Sequence, residues 1–253
     1  MRSIRCEIGA VFGAAVVCGT GVFAGSAAGQ SIAVSIAVRE TGSVAALGAD
    51  GGTAGGIEWV DRDVNVVSLD GTWQQVSFNL SQGDLLAFAG VTANNMWDGT
   101  RGVLEHLRIR NIDGLTAPLE IFLDDLTLTG PGQPPYMDGW EGASLGAEHI
   151  FRDPGFSGST LANLVGTGSS AVSDAMARSG SQSYAMNLQF VDADPTRWAR
   201  VITFNTITGG NPTVDFGGTV SFWIKGGVVP GAGTAWALGL AAASAGARRR
   251  RKA

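Results

Sequence analysis

Cysteine is the first scarcity in this sequence. The only two, Cys6 and Cys18, lie near the N-terminus, in a stretch that reads as a removable leader. The body therefore carries no disulfide and no thiol chemistry, and its apolar core alone must hold it together. Histidine is almost as rare: His106 and His149 are the whole supply, and their separation gives no zinc-type pair. Charged residues make up only 15% of the chain, which excludes a helical bundle or a charge-rich disordered chain. No glycine-rich phosphate loop leads from a strand into a helix, and no basic patch is interleaved with aromatics. Nucleotide and nucleic-acid partners are thus not expected.

Charge is also unevenly shared. Seven of the 17 Lys and Arg residues, but one of the 22 acids, fall in the two terminal segments, which leaves ten bases against 21 acids in the body. A body at about −11 repels nucleic acid and anionic lipid, and tolerates cations. What the sequence has in abundance is glycine, 38 residues, together with 45% hydrophobic residues. That composition suits strands and turns around a core.

The two ends read as addresses. Arg2 and Arg5 precede the apolar "IGAVFGAAVVCGTGVFAG", and the small residues of "GSAAGQ" offer a cleavage site near Gln30. Residues 1–29 are therefore expected to be a signal peptide that forms a helix during export. At the other end, Ala232 to Ala247 is free of charge, about 24 Å long as a helix and slightly short of a bilayer core. Arg248, Arg249, Arg250, Arg251 and Lys252 follow it and would stay cytoplasmic. The layout Val229-Pro230, small residues, apolar helix and arginine cluster resembles the PEP-CTERM sorting signal. Gly231 and Ala232 stand where that family usually has Glu-Pro. The resemblance implies export, transient anchoring of residues 227–253 in the inner membrane, and a sorting protease as partner. A plain C-terminal anchor is the alternative.

Between the ends, period-2 alternation dominates. "SIAVSIAV" places Ile32, Val34, Ile36 and Val38 on one face, and "TWQQVSFNL" directs Trp73, Val76 or Ser77, and Phe78 towards another. In "VLEHLRIRNI", Leu104, His106, Arg108 and Arg110 alternate with Val103, Glu105, Leu107 and Ile109. "PLEIFLDDLTL", "QSYAMNLQF", "RWARVITF" and "TVSFWIK" complete about eight strands parted by turn residues. The fold expected is all-β, a sandwich or jelly roll over residues 30–226, flanked by the signal helix and the C-terminal transmembrane helix.

"TGPGQPPYMD" (129–138) reads as a linker between halves 30–130 and 137–226. "GTWQQVSFNL", "GVLEHLRIRN" and "PLEIFLDDLTLTG" resemble the closing strands of galactose-binding-like jelly rolls, the fold of many carbohydrate-binding modules. "MDGWEG", "SGSQSYAMNLQF", "WARVITFN" and "GGTVSFWIKG" resemble the opening of such a module. Because the closing half comes first, one permuted sandwich is expected, with two small β domains as the alternative.

That resemblance implies a structural Ca²⁺ held by an opening-segment acid and a closing-strand acid, here Asp125 and Glu141, with Asp124 in reserve. Two carboxylates and backbone carbonyls would suit the ion's six to eight oxygens; solvated edge acids are the alternative. As consecutive strand residues, Asp124 and Asp125 should face opposite sides. "DRDVNVVSLDGT" has acids at EF-hand spacing, but Val66 stands where the loop needs Gly and Thr72 where it needs Glu. For sugar stacking, Trp97 in "TANNMWDGTRG" is the leading platform, with Asn95, Asp98 and Arg101 beside it and Trp59 second. Trp73, Trp198 and Trp223 lie in alternating strands and are expected in the core.

Catalytic patterns are weaker. "GFSGS" has Ser159 where a nucleophile elbow needs its second glycine, so Ser157 reads as a turn residue. Adjacent strand positions should point His106 away from Glu105. No spacing nominates a carboxylate pair for glycoside hydrolysis. The expectation is a non-catalytic, exported surface or matrix protein that binds extracellular polysaccharide. A ligand-free envelope protein is the second reading, and a glycan hydrolase or lyase the third.

Overall fold

The computed structural model describes residues 29–40, 58–61, 65–81, 83–89, 100–131, 133–203 and 212–229. Residues 1–28, the segment 90–99 with Asn95, Trp97 and Asp98, and residues 230–253 with Pro230 and Arg248 to Arg251 lie outside the described residues. Of residues 40, 58–61, 87–89 and 133 only the backbone is described.

The strands of the first half are β1 (Ser31–Glu40), β2 (Glu58–Asp61), β3 (Asn65–Ser68), β4 (Gln74–Asn79), β5 (Leu85–Ala89), β6 (Arg101–Arg110) and β7 (Leu119–Gly130). Those of the second are β8 (Gln133–Asp138), β9 (Ser169–Ser173), β10 (Ser183–Leu188), β11 (Trp198–Ile202), β12 (Thr213–Asp215) and β13 (Thr219–Val228). They form two antiparallel sheets. One runs β11-β6-β1-β2-β5, with β12 added to β6 and β3 to β1; the other runs β4-β13-β7-β10-β9, with β8 added to β7. The two stack as an all-β sandwich. Among the described residues, no helix is long and apolar enough to cross a membrane.

The alternation in the sequence builds the core directly. Ile32, Val34, Ile36 and Val38 of β1 are sealed from solvent, as are Val76 and Phe78 of β4 and Val220, Phe222 and Ile224 of β13. Burying such side chains is worth roughly 1.5–3 kcal/mol each, which suffices for a sandwich without disulfides. A single apolar cluster draws on both halves of the chain. β11 and β12 of the second half pair with β6 of the first, and β13 pairs with both β4 and β7.

Three local expectations are corrected. The stretch 129–138 is not a free linker: β8 folds back on β7 as a hairpin, with Leu128 opposite Tyr136 and Leu126 opposite Asp138. Pro134 and Pro135 then sit on an edge strand, where the missing N–H groups cost least and discourage further pairing. Strict alternation also fails in β6. A register shift between Ala37 and Val38 leaves Glu105 without a partner residue on β1, so Leu104 joins the core with Leu107 and Ile109. A bulge of this kind turns two consecutive side chains to one side. Finally, Trp198 and Trp223 are only half-buried on the outer faces and Trp73 is half-buried, whereas among the described residues Trp140 is the tryptophan in the core, 1% exposed and stacked on Tyr184 at 5.6 Å.

Candidate functional site

A cleft of about 270 Å³ opens between the sheets, lined by Leu128, Thr129, Gly130, Pro134, Pro135, Tyr136, Thr213 and Asp215. Its walls come from the end of β7, the proline edge of β8 and the short strand β12. Two glycines allow this approach. A Cβ on Gly130 would run into the Asp215 side chain, and one on Gly218 would strike the Thr129 carbonyl oxygen. The cleft is smaller than a drug-sized pocket and suits a single ring.

Its polar groups are held from behind. Arg101, at the start of β6, donates its Nε–H to Asp215 Oδ1 at 2.8 Å, and Asp215 is 7% exposed. The Thr129 and Thr219 hydroxyls lie 2.6 Å apart. The Tyr136 phenol donates to Asp138 Oδ2 at 3.1 Å, and the same oxygen meets His149 Nε2 at 3.1 Å. Burial, then the Asp138 charge, pushes the Tyr136 phenol well above its ordinary range, so it remains a neutral ring with an O–H handle. Of the residues expected to bind a ligand, Arg101 is thus placed behind the cleft. Trp59 is described by its backbone alone, opposite Val38 of β1 and Ala87 of β5.

Asp124, Asp125 and Glu141 do come to one region, but they grip the segment 178–182. Asp124 Oδ2 accepts the Arg178 and Ser179 amides at 2.7 and 3.1 Å, and its Oδ1 accepts the Asp125 amide at 2.7 Å. Asp125 accepts Ser179 Oγ at 2.6 Å and Arg178 Nη1 at 3.0 Å. Glu141 accepts the Ser181 and Gln182 amides at 2.7 and 2.8 Å and Ser181 Oγ at 2.9 Å. All six carboxylate oxygens are engaged. A Ca²⁺ ion would have to displace the segment, so the arrangement does not fit a calcium cage. Among the described residues, no group of three His, Cys, Asp or Glu side chains could hold a metal. The expected opposition of the two aspartates also fails. Asp125 takes a left-handed φ of 51° where the β7–β13 register shifts, and both carboxylates face the same segment. The amides and hydroxyl bound to Glu141 hold its carboxyl below the usual range, whereas burial pushes that of Asp124 up.

A second polar concentration lies on the outer face of the seven-stranded sheet, and the sequence reading missed it. His106 is fully buried, and neither ring nitrogen has a hydrogen-bond partner. Burial first, then the charges of Arg200, Arg108 and Arg39, holds its pKa well below 6.5, so the ring is neutral. Arg39 Nη2 meets Glu105 Oε1 at 3.0 Å. His106 and Arg108 of β6 stand opposite Ile202 and Arg200 of β11, and the Arg108 guanidinium lies 4.3 Å above the Trp198 ring. Glu105 and His106 do not point apart, because the bulge turns both outward. The available signal was that His106, Arg108 and Arg200 share a face once β6 pairs with β11.

Ser157 is buried and bonded to Ser159 Oγ and Arg200 Nε at 2.9 Å each, which makes it part of the cover over β11. His149, which looked solitary in the sequence, is the partner of Asp138. Comparison with protein-family models, curated proteins and solved structures gives no match.

Proposed function

We propose that the chain is an exported, non-catalytic surface or matrix protein whose β-sandwich binds carbohydrate. The observation that carries this reading is the ring-sized cleft between β7, β8 and β12. It combines an aromatic and proline wall with threonine hydroxyls and a carboxylate braced by a guanidinium. Sugars present C–H faces that pack on aromatic and apolar surface and hydroxyl pairs that bond to carboxylates and hydroxyls. The groups around the cleft work as acceptors and donors; none of the geometry above calls for a nucleophile. Export would rest on residues 1–29. Residues 227–253 would supply the inner-membrane anchor and a protease-read sorting motif through Val229, Pro230 and Arg248 to Arg251. Val229 of that motif is exposed just past the end of β13.

A glycan array of neutral and acidic polysaccharides, probed with the purified chain, tests the reading. Tyr136→Ala should weaken retention about tenfold, the loss of one well-packed ring contact (about 1.4 kcal/mol), while the melting temperature moves little. An array silent to the unaltered chain would leave a purely structural envelope protein as the better account.

A further inference from the structure

We infer that the cleft between β7, β8 and β12 selects uncharged sugars that present hydroxyl donors, and that Asp138 sets this preference by holding the proton of the Tyr136 phenol. The inference rests on the carbohydrate reading for its ligand, while the arrangement of donors and acceptors stands on its own observations. Asp138 Oδ2 accepts the Tyr136 hydroxyl at 3.1 Å, and His149 Nε2 lies 3.1 Å from the same oxygen. A carboxylate has nothing but acceptors, so the phenol proton and a proton on Nε2 both point at Asp138. Its other oxygen accepts the Trp140 amide at 2.7 Å, which fixes the carboxylate from the far side. Tyr136 is 39% exposed and part of the cleft wall. With its proton engaged, it turns lone pairs to a ligand.

Pro134 and Pro135 line the same wall and have no backbone N–H. Asp215 adds a negative charge and acceptor oxygens, with Oδ1 tied to Arg101 Nε at 2.8 Å. The Thr129 and Thr219 hydroxyls share one bond at 2.6 Å, which uses one of their two protons. Threonine hydroxyls rotate and serve either way, so the groups with a fixed role decide the bias. Those groups accept. A sugar hydroxyl brings the donor they need, whereas a ligand carboxylate sets acceptors against acceptors and charge against charge. Asp138 does not line the cleft; it is a positioning residue that acts through the phenol.

Asp138→Asn reverses this polarity. The Trp140 amide keeps the new carbonyl oxygen as its acceptor, which turns the NH₂ towards the phenol and frees the phenol's proton for a ligand. The test uses the full chain and three glycans, a glucan, a galactan and a mannan, each uncharged and with its primary alcohols oxidised to carboxylates. The unaltered chain should hold an uncharged form about tenfold more tightly than its oxidised partner. Asp138→Asn should erase that preference. Tyr136→Phe should weaken the uncharged form, and adding Asp138→Asn to it should change nothing further, as a merely structural role for Asp138 would. The NMR shift of the Tyr136 ring carbon that bears the oxygen should move in Asp138→Asn with no glycan present, and an unmoved signal would overturn the inference. If the unaltered chain holds both members of a pair equally, or the oxidised one better, the carbohydrate reading stands and this inference fails, whether or not the variants fold. Binding to none of the six also overturns it; the carbohydrate reading survives that result if other glycans are retained, and falls with it if none is.

Discussion

The outer faces of the two sheets solve the same problem in opposite ways. On the six-stranded sheet, Gln75, Ser77 and Asn79 of β4 stand in solvent, and beside them Trp223 carries the Arg178 guanidinium at 4.0 Å above its ring. Water satisfies most of that face, so its small polar residues need little arranged for them. On the seven-stranded sheet, Ser35, Glu105 and His106 are buried among Arg39, Arg108 and Arg200. There a polar group either finds a partner inside the protein, as Glu105 does in Arg39, or bears the cost of burial without one, as the His106 ring does. A polar strand face can thus be cheap or costly depending on what covers it, and alternation alone does not say which.

Breaking the covered face should have the largest effect. Glu105→Ala leaves the largely buried Arg39 without the carboxylate 3.0 Å away, and should cost about 3 kcal/mol in chemical denaturation. Ser77→Ala, on the wet face, should stay within about 0.5 kcal/mol. If the two variants lose the same stability, the contrast between the faces is wrong. Next comes the rim of the six-stranded sheet. Asp124→Ala strips the acceptor from the amides of Asp125, Arg178 and Ser179 and should cost about 2 kcal/mol. Its hydrogen exchange should quicken at residues 178–182 before anywhere else.

The smallest expected change sharpens the comparison through pH. His106 remains neutral in the fold well below its ordinary 6.5, through burial first and then Arg200, Arg108 and Arg39. The unfolded chain takes up that proton and the folded chain does not. The contribution is therefore present above pH 6.5 and is lost as pH falls below it, with a slope approaching about 1.4 kcal/mol per unit. Among the described residues, the charged groups acting on the ring are Arg39 from β1, Arg108 from β6 and Arg200 from β11, and Glu105 is its neighbour on β6. Burial of Asp124 works in the opposite sense, in a lower window above 3.8. His106→Leu should flatten the decline between about pH 6.5 and 5.5 and raise stability at neutral pH by about 1 kcal/mol. An unchanged slope would mean that the ring protonates in place.

Much of the sandwich was legible in the residues. Ile32 to Val38, Val76 with Phe78, and Val220 with Ile224 occupy the inner faces that their spacing predicts. The outward placement of Trp223 was legible too, since Ser221 and Lys225 share its face. It was missed because a tryptophan was counted by size rather than by company. Other features left no local trace. β12 is three residues long and β3 four, too short for a period to register. The hairpin at Gly130 looked like a linker because prolines suit both.

Composition and period by themselves determined that this chain is a β protein with an apolar core, no disulfide in its body and basic ends. Those properties are local, and each residue states them without its neighbours in space. Which carboxylates grip the segment 178–182, which arginines surround His106 and which residues line the cleft were settled only when distant strands were paired. Two of the bulges decided much of this. One extra residue in β6 and one left-handed aspartate in β7 reverse the side to which the next side chain points, and such a reversal depends on register with a partner strand that alternation within one strand does not contain.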